Sequence, residues 1–403
     1  MSIQELSVTG FRSLKDITWR PGTLNVIIGP NGSGKSNLLR VLEMISLSAQ
    51  GRLAKYVQSE GGFDALLWDG RADAVEFRVT TLTPLLPGDL IENDTTRLTY
   101  KASCKQFMHS RCLFASESLT EIFGEDAASR VHLARIDQMN ANILQIGPHD
   151  EQELLTIAWL DHQESFLSTT LGPLILNSVI KSFGRELVNW VLYQNIDVGR
   201  ESSLRKPNVS NYTKRVANDG QNLIALLHTL YSENREFKET VNEAMRAAFG
   251  DDFEELIFPP AADQRIQMRV RWKSLKREQS TADLSDGTLR FLFLLTVLAG
   301  PNPPPLIAID EPETGLHPSM LPIVAELAVN AALRTQVIFT THSNQFLDAF
   351  RETATQPTTT VARWENGETT LTTLDNDALQ IWLKDYTLGA LYRSGELESG
   401  LIG

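Results

Sequence analysis

Apolar residues toward the two ends of the chain alternate between short continuous runs and runs at helical spacing. Residues 24–28 form a mostly apolar run of strand length, and apolar positions every three or four residues follow it at Leu38, Val41, Leu42 and Ile45. The same order returns later, with apolar runs at 306–309 and 337–340 and a helical pattern at 321–332 between them. Such alternation is typical of a partly parallel sheet. These parts of the chain predict an α/β fold with helices flanking a mixed sheet.

The middle of the chain has a different pattern, which indicates mainly helical structure from about residue 119 to residue 249. Two apolar faces repeat at helical spacing; they comprise Ile180, Phe183, Leu187, Trp190, Val191 and Gln194, then Leu223, Leu226, Leu227 and Leu230. Residues 199–214 are polar and predict a mobile loop.

The patterns together predict a division into four parts. Residues 1–100 and 261–350 form the two halves of one α/β domain, and residues 101–260 form a mainly helical insertion between them. Residues 351–403 form a hairpin, with a turn at Asn366-Gly367, and a short helical tail.

A glycine-rich stretch separates the first apolar run from the first helical pattern. Residues 29–36 read Gly-Pro-Asn-Gly-Ser-Gly-Lys-Ser, which fits the phosphate-binding pattern Gly, four residues, Gly-Lys-Ser. Glycines let successive backbone N–H groups point at one anion, at the N-terminus of the helix that follows. Lys35 brings a charge to the β- and γ-phosphates, and the Ser36 hydroxyl can bind Mg²⁺. We therefore expect a nucleoside triphosphate to contact Gly29, Asn31, Gly32, Ser33, Gly34, Lys35, Ser36 and Asn37.

Candidate catalytic residues follow the later apolar runs. Asp310 ends the run at 306–309 and would hold Mg²⁺, and the adjacent Glu311 would act as general base on the attacking water. His342 follows the next run, where it would sense the γ-phosphate. Ser285 and Gly287 precede an apolar helix and could face an anion at its N-terminus. Taken alone, this stretch is better explained by Ser285 as an ordinary N-cap.

Composition limits the partners that the chain can attract. The 403 residues carry a formal net charge of −13, so no overall field attracts nucleic acid. Binding to DNA would need a local basic patch; one candidate run contains Arg269, Arg271, Lys273, Lys276 and Arg277, which a solvated strand face would explain as well. Two cysteines are too few for a disulfide framework. With no apolar run long enough for a bilayer, we expect a cytoplasmic protein without membrane contact.

The order of these motifs resembles that of ABC-type ATPases. It is most similar to the RecF/SMC-like branch and to ATPases related to the OLD (overcoming lysogenisation defect) family. The opening Gly10-Phe11-Arg12-Ser13-Leu14, in which Arg12 would lie near the nucleotide, and residues 313–318 (Glu-Thr-Gly-Leu-His-Pro) carry the resemblance further. The resemblance implies a homodimer or larger assembly in which two chains enclose two ATP molecules. Each phosphate loop would then face Ser285 and Gly287 of the other chain.

The chain also departs from the family pattern at three places. Asp286 stands where transporter cassettes have glycine, which fits the RecF-like branch better. The glutamine that usually links nucleotide to the helical lobe is not evident, and Gln50 and Gln58 are only candidates. Fewer than about 65 residues follow His342, which leaves little room for the TOPRIM nuclease of full OLD proteins. We therefore expect any nuclease to be a separate partner.

Four functions remain open at this point. The first is an ATP-gated, DNA-associated machine in repair or anti-phage defence. The second is a regulatory scaffold that holds and releases a toxin-like or nuclease-like protein without binding DNA. A transporter ATPase is disfavoured by the insertion and by Asp286. A nucleotide switch that lacks hydrolysis is disfavoured because Lys35, Asp310, Glu311 and His342 are all present.

Overall fold

A computed structural model describes residues 2–83, 96–107, 111–122, 130–137, 141–146, 152–157, 163–169, 177–209, 213–262 and 265–397. The chain divides into two compact units, each assembled from separate stretches of sequence. The first unit comprises Met1–Gly22, Ile28–Trp190 and Thr360–Thr373, and the second comprises Thr23–Ile27, Val191–Thr359 and Leu374–Gly403. These bounds differ from the four parts that the sequence predicts, because both units combine residues from distant parts of the chain.

The described residues contain strands and helices with the following bounds. In chain order, the strands are β1 (Ser2–Phe11), β2 (Leu14–Trp19), β3 (Leu24–Ile28), β4 (Ala74–Thr83), β5 (Thr96–Phe107), β6 (Arg111–Ile122), β7 (Arg130–Ile136), β8 (Ala141–Ile146), β9 (Gln152–Ile157), β10 (Val191–Tyr193), β11 (Asn208–Val209), β12 (Phe253–Ile257), β13 (Arg265–Ile266), β14 (Arg269–Trp272), β15 (Gln279–Ser280), β16 (Leu306–Asp310), β17 (Gln336–Thr341), β18 (Thr358–Glu365) and β19 (Glu368–Thr373). The helices are α1 (Lys35–Ala49), α2 (Leu53–Ser59), α3 (Phe166–Thr169), α4 (Ser178–Val188), α5 (Leu223–Glu233), α6 (Arg235–Phe249), α7 (Asp286–Ala299), α8 (Leu321–Ala332), α9 (Asn344–Asp348), α10 (Asn376–Trp382) and α11 (Leu388–Arg393).

An eight-stranded sheet forms the centre of the first unit. Its strands follow the order β2-β1-β4-β5-β6-β7-β8-β9, and every neighbouring pair is antiparallel. Buried residues of β1 and β4, among them Leu6, Val8, Phe77 and Val79, belong to the core of this unit. Helix α1 packs against α4 and α3 in the same unit.

This sheet corrects the prediction of a mainly helical insertion at residues 101–260. The described residues between 101 and 157 are strands, and helices begin only at Phe166. Register shifts between Ser103 and Cys104 and between Leu119 and Thr120 interrupt the alternation of buried and exposed positions. Because such bulges break the period of two, the strand signal is weak in the sequence.

The second unit contains a parallel arrangement of strands. β10, β16 and β17 run parallel, and β3 lies next to β17. All residues of β17 and the first four of β16 are buried, as expected for parallel strands with both faces covered. Helices α7 and α8 pack against each other, and α8 packs against β17. The strand–helix–strand pattern predicted from residue 306 onward is confirmed, since β16, α8 and β17 occupy these positions.

Two further predictions in this part of the chain need correction. Helix α4 ends at Val188, and the apolar positions Val191–Tyr193 form strand β10 instead of continuing a helical face. Gln194 therefore follows a strand. The second prediction was a mobile loop at residues 199–214, of which residues 210–212 lie outside the described part. Arg205 within this stretch is buried, which a solvated loop would not explain.

The hairpin predicted around Asn366-Gly367 is confirmed. β18 and β19 pair antiparallel in the first unit, with Glu365 opposite Glu368. Asn366 and Gly367 both have left-handed backbone angles, with φ of 52° and 85°. A two-residue turn of this type matches the twist of paired strands, and Asn and Gly adopt it at low cost. Within the described residues, no helix has the length and apolar character needed to span a membrane.

Candidate active site

The phosphate loop begins directly after β3 and lies in the first unit. Gly29, Gly32 and Gly34 have positive φ angles of 150°, 81° and 96°. A Cβ atom at Gly29 would collide with the carbonyl oxygen of Ala362, and one at Gly34 would collide with the Thr369 hydroxyl. Glycine is therefore required at both positions for steric reasons as well as for backbone conformation.

The loop places several polar groups at the N-terminus of α1. Gly34 is the N-cap and provides no side-chain acceptor, and the first turn carries no acidic residue. The buried Ser33 hydroxyl has no hydrogen-bond partner among the described residues. Lys35 Nζ donates to the carbonyl oxygens of Gly29 at 2.7 Å and Pro30 at 3.0 Å. A helix N-terminus after a glycine-rich turn, with a lysine within reach of the loop, fits a phosphate group.

A chain of hydrogen bonds holds the loop against β19 and the turn after β1. Asn37 Nδ2 donates to Ser13 Oγ at 2.8 Å, and Ser13 Oγ lies 2.7 Å from Thr369 Oγ1. Thr369 Oγ1 lies 2.9 Å from the carbonyl oxygen of Ser33. Because each hydroxyl has one proton, the donors run from Asn37 to Ser13, then to Thr369, then to the Ser33 carbonyl. Thr369 lies 336 positions from Ser33 in sequence, and no motif marks it.

Arg12 directly precedes Ser13 of this network, and its charge is paired. Its guanidinium forms an ion pair with Glu60, and its backbone N–H donates to the Leu66 carbonyl at 2.8 Å. Its φ angle is +48°, which is uncommon for a residue with a side chain. Such a backbone conformation costs on the order of 1–3 kcal/mol, and sites of this kind often carry function.

Asp310 and Glu311 lie in the second unit, at the carboxyl end of β16. Asp310 is opposite Thr340 of β17 in register, and the Thr340 hydroxyl donates to its carboxylate. The Glu311 N–H donates to the Thr340 carbonyl at 3.0 Å, and Glu311 has a φ angle of +46°. The chain thus leaves the strand at Glu311 through a left-handed backbone conformation.

His342 contacts Glu311 directly. Its Nδ1 lies 3.0 Å from Glu311 Oε1, and both side chains are partly exposed, by 47% and 38%. A histidine and a carboxylate that share a hydrogen bond and remain open to solvent can act together on a water molecule. The structure thus brings these two predicted residues together, and their roles stay a prediction.

Glu313 is a nearby acid that the sequence analysis placed in the 313–318 stretch without assigning it a role. Burial raises the pKa of its carboxyl group, and the Thr341 hydroxyl donates to one of its oxygens. Its second oxygen is buried and has no partner within the described part of the chain. An unsatisfied buried oxygen beside Glu311 is the kind of group that a catalytic site retains.

Ser285 and Gly287 lie at the start of α7 in the second unit. Ser285 is the N-cap, and its Oγ accepts from the Thr288 N–H at 3.1 Å. The ordinary capping explanation is therefore correct for Ser285, whether or not it also meets an anion. A Cβ at Gly287 would collide with the Gly315 carbonyl oxygen, so the helix start contacts the loop after Glu311 closely.

Two more residues belong to this centre and were missed. Gln194 follows β10, whose Tyr193 pairs with Ile309 of β16, so Gln194 and Asp310 end neighbouring parallel strands. Arg290, one turn into α7, donates from Nη2 to the Glu311 carbonyl at 3.1 Å. Burial lowers the pKa of Arg290, while nearby carboxylates act in the opposite direction.

Gln194, Arg290, Asp310, Glu311 and Thr314 line a cleft of about 360 Å³. The glutamine candidates named from the sequence have other surroundings. Gln50 donates to Ser46 Oγ and to the Val188 carbonyl, both at 3.2 Å, and Gln58 lies on α2. Both belong to the first unit. Gln194 could have been found from its place directly after the short run Val191–Tyr193. The sequence pattern predicted a helix for this run, so the strand end was not recognised.

The predicted residues thus form two groups. Gly29, Asn31, Gly32, Ser33, Gly34, Lys35, Ser36, Asn37 and Arg12 lie in the first unit, and Ser285, Gly287, Asp310, Glu311 and His342 lie in the second. A phosphate loop after one strand and an Asp-Glu pair after another, with a serine-capped helix, define a P-loop ATPase fold of the ABC type.

Comparisons with known proteins agree with this class. Residues 186–348 match a family model described as "AAA domain, putative AbiEii toxin, Type IV TA system", and residues 1–105 match a model of the AAA ATPase domain. The chain is similar to the head domain of an SMC protein, solved bound to the C-winged helix domain of ScpA. The TM-score is 0.56 at 14% identity, over 94% of this chain and 100% of that one.

Two curated relatives are similar to parts of this chain. The chain is 23% identical to an OLD nuclease of Thermus scotoductus over 365 residues, which cover 87% of this chain. These residues span only 60% of the length of that relative. A 50-residue stretch, 12% of this chain and 13% of the relative, is 48% identical to the DNA replication and repair protein RecF of Moorella thermoacetica. The resemblance to RecF-, SMC- and OLD-type ATPases is therefore confirmed, and at the level of these families the matches support ATP binding and hydrolysis.

Proposed function

We propose that the protein is a Mg²⁺-dependent ATPase whose two copies close around ATP to gate a DNA-associated process, such as anti-phage defence or DNA repair. The observation that carries this proposal is the hydrogen bond between Glu311 and His342 at the end of an acid-bearing strand. A protein that only binds nucleotide has no need to hold a carboxylate and an imidazole together at this place.

The phosphate loop supplies the nucleotide-binding groups in this proposal. The N–H groups of Gly32 to Lys35 bind the phosphate oxygens, and Lys35 exchanges its contacts with the loop carbonyls for the β- and γ-phosphates. Asn31 and Asn37 line the same loop and helix start. Arg12 contacts the nucleotide after its guanidinium leaves Glu60.

Ser36 and Asp310 would hold Mg²⁺. A hydroxyl and a carboxylate are hard oxygen ligands of the kind that Mg²⁺ prefers, and the hydrogen bond from Thr340 orients the Asp310 carboxylate. When bound, Mg²⁺ neutralises the charge that develops on the phosphate oxygens.

Glu311 is the general base in the hydrolytic step. It accepts a proton from the attacking water, and its hydrogen bond to His342 fixes the direction of its carboxylate. His342 also contacts the γ-phosphate and reports its presence. Arg290 holds the Glu311 main chain through the carbonyl oxygen, and Gln194 lies next to Asp310 to contact the metal-bound nucleotide.

The second copy completes the site through its α7 helix. Ser285 and Gly287 of that copy present N–H groups and a hydroxyl to the γ-phosphate, so ATP binding closes the dimer and hydrolysis opens it. A separate nuclease-like or toxin-like effector acts on the target, and the ATPase controls when that effector can reach the target.

A regulatory scaffold that does not bind DNA is the second candidate, and one observation favours it. Arg271 forms ion pairs with Glu255 and, at 2.9 Å, with Glu278, and Arg269 lies 3.4 Å from Glu278. These acids neutralise the first half of the basic run in β14. The exposed Lys273, Lys276 and Arg277 remain as the charge available to DNA.

The experiment is a light-scattering mass measurement of the Glu311→Gln variant, with and without ATP and Mg²⁺, and then with added duplex DNA. This variant binds ATP and stalls before hydrolysis. Lys35→Ala is the binding-deficient comparison, and Glu326→Gln, an exposed carboxylate on α8, is the matched control for the loss of charge.

The expected result is a doubled mass, or a compaction of a constitutive dimer, that requires both ATP and an intact Lys35. A further shift with DNA that weakens with salt supports the DNA-associated process. A nucleotide-dependent dimer whose mass does not change on addition of duplex DNA supports the regulatory scaffold. If nucleotide leaves the mass and the compactness of Glu311→Gln unchanged, the proposed dimer is refuted.

A further inference from the structure

Arg205 is a buried arginine in a stretch whose composition suggests a solvated loop. Only 6% of its side chain is exposed. Removing a guanidinium from water is costly unless its five N–H groups find acceptors. In this protein each nitrogen finds at least one, and the acceptors lie on two separate segments of the second unit.

The first segment follows Gln194. Arg205 Nε donates to the carbonyl oxygens of Val198 at 2.9 Å and Gly199 at 3.0 Å. The Ser202 hydroxyl accepts from the Leu204 N–H and thereby caps the short turn that contains Arg205. Arg205 therefore closes the segment 197–205 on itself and fixes its place relative to the end of β10.

The second segment is the turn that leads into α7. Arg205 Nη1 donates to the carbonyl oxygens of Thr281 at 2.9 Å and Leu284 at 2.7 Å, and Nη2 forms an ion pair with Asp286. The Thr281 hydroxyl returns a hydrogen bond to the Arg205 carbonyl at 3.0 Å. Four contacts thus tie one arginine to Thr281 and to Leu284 and Asp286, the two neighbours of Ser285.

Asp286 has an unusual position in this arrangement. Its side chain is 65% exposed, although the arginine that it binds is buried. An acidic residue in the first turn of a helix is favourable by itself. Its distinct effect here is to orient the guanidinium, because the charge-assisted contact is directional and the carbonyl contacts remain without it.

Further contacts connect the same helix start to the catalytic acid. Gly287 touches the Gly315 carbonyl, and Arg290 binds the Glu311 carbonyl at 3.1 Å. A displacement of the turn at 284–287 would therefore change the position of Glu311 as well as that of Ser285.

We infer that Arg205 and Asp286 form a strut that couples the segment after Gln194 to the start of α7 and positions Ser285 and Gly287 for the nucleotide of a second copy. This inference rests on the proposed dimer. Arg205 is a positioning residue: it acts through Asp286 and the backbone of residues 281–284. Asp286 is the one carboxylate among the described residues that pairs with this arginine.

The test uses Asp286→Asn and Arg205→Lys, singly and together, in the full chain. Asp286→Asn keeps the size of the side chain and removes its charge; because this residue is exposed, folding is expected to be retained. Arg205→Lys keeps the charge and removes the fork of donors. Asp283→Asn, in the same turn, and Arg215→Lys, whose donors go to Asn302 and Pro303, are the matched controls.

Three quantities are measured for each variant. These are the kcat and KM for ATP, the affinity of the chain for a fluorescent ATP analogue, and the ATP-dependent dimerisation constant in the Glu311→Gln background. We expect Asp286→Asn to lower kcat and to weaken dimerisation by about tenfold, with the analogue affinity changed less than about twofold. The double variant should be no worse than the more severe single variant, because both changes break one connection.

Each contrary outcome has a defined meaning. If Asp286→Asn behaves like Asp283→Asn, or if the two single effects multiply in the double variant, the strut is refuted while the proposed ATPase stands. If a variant loses analogue affinity in parallel with kcat, the role is structural and the inference is wrong. If the Glu311→Gln parent itself shows no ATP-dependent dimer, the proposed function fails and this inference fails with it.

Discussion

Glu117 allows a quantitative prediction for the stability of the first unit. It lies on β6 with 3% of its surface exposed, and burial raises its pKa to about 7. Tyr100, Ser165 and the Phe166 N–H donate to its carboxylate, the last two at 2.6 and 2.9 Å. These donors favour the charged form, but the loss of hydration outweighs them.

The pKa difference sets the sign and the size of the effect. In the unfolded chain the carboxyl group titrates near 4.5, so between pH 4.5 and pH 7 the native protein holds a proton that the unfolded protein has released. The stability from this group is fully present below pH 4.5 and is lost as pH rises through 7. A difference of about 2.5 pKa units corresponds to about 3 kcal/mol, most of it lost between pH 5 and pH 8.

The assay is urea unfolding of the wild type and of Glu117→Gln at several pH values from 5 to 8.5. The free energy of unfolding of the wild type should fall relative to that of Glu117→Gln by about 2.5 kcal/mol across this range, because part of the effect is already lost below pH 5. A difference in the free energy of unfolding that is the same at every pH reflects altered hydrogen bonds. Only a difference that changes with pH reports the titration of Glu117. Glu254→Gln, an exposed carboxylate, should follow the wild type at every pH. Parallel curves for wild type and Glu117→Gln would refute the reasoning.

Three further predictions concern the candidate site. His342→Ala should lower kcat for ATP hydrolysis by about 100-fold with little change in nucleotide affinity, because Glu311 loses its oriented partner; an unchanged kcat would remove His342 from the centre. Thr369→Val should cost about 1 kcal/mol of stability and raise KM for ATP, since the Ser33 carbonyl loses its donor; a KM equal to that of wild type would show that this bond does not shape the loop. Gly34→Ala should abolish ATP binding, as measured by calorimetry, because its Cβ meets the Thr369 hydroxyl. The double variant Gly34→Ala/Thr369→Ser keeps the hydroxyl and should stay inactive.

Much of the candidate site is visible in the sequence because its signals are local. The phosphate loop depends on glycines whose backbone angles are set within a few residues, and its flanking strand and helix follow immediately. Asp310 and Glu311 end a continuous apolar run, and α8 was predicted with the bounds that the structure has. Asn366 and Gly367 determine their turn by themselves.

Other features depended on partners far away in the chain. Thr369 reaches the phosphate loop from the far end of the sequence, and no local pattern distinguishes it from the other threonines of β19. The sequence predicts that Arg205 is a solvent-exposed cation. Only the folded chain supplies the carbonyl oxygens and the Asp286 carboxylate that allow it to be buried. Gln194 became recognisable once β10 was seen to pair with β16.

The sequence by itself therefore determined the phosphate loop, the acid-bearing strand and the class of ATPase, since these depend on residue types at short, fixed spacing. The tertiary structure alone decided that residues 101–157 contribute strands to an eight-stranded sheet, because bulges hide the alternation that would have revealed them. It also decided which polar side chains are buried, because the free energy of burying a charge depends on acceptors that only folding brings together.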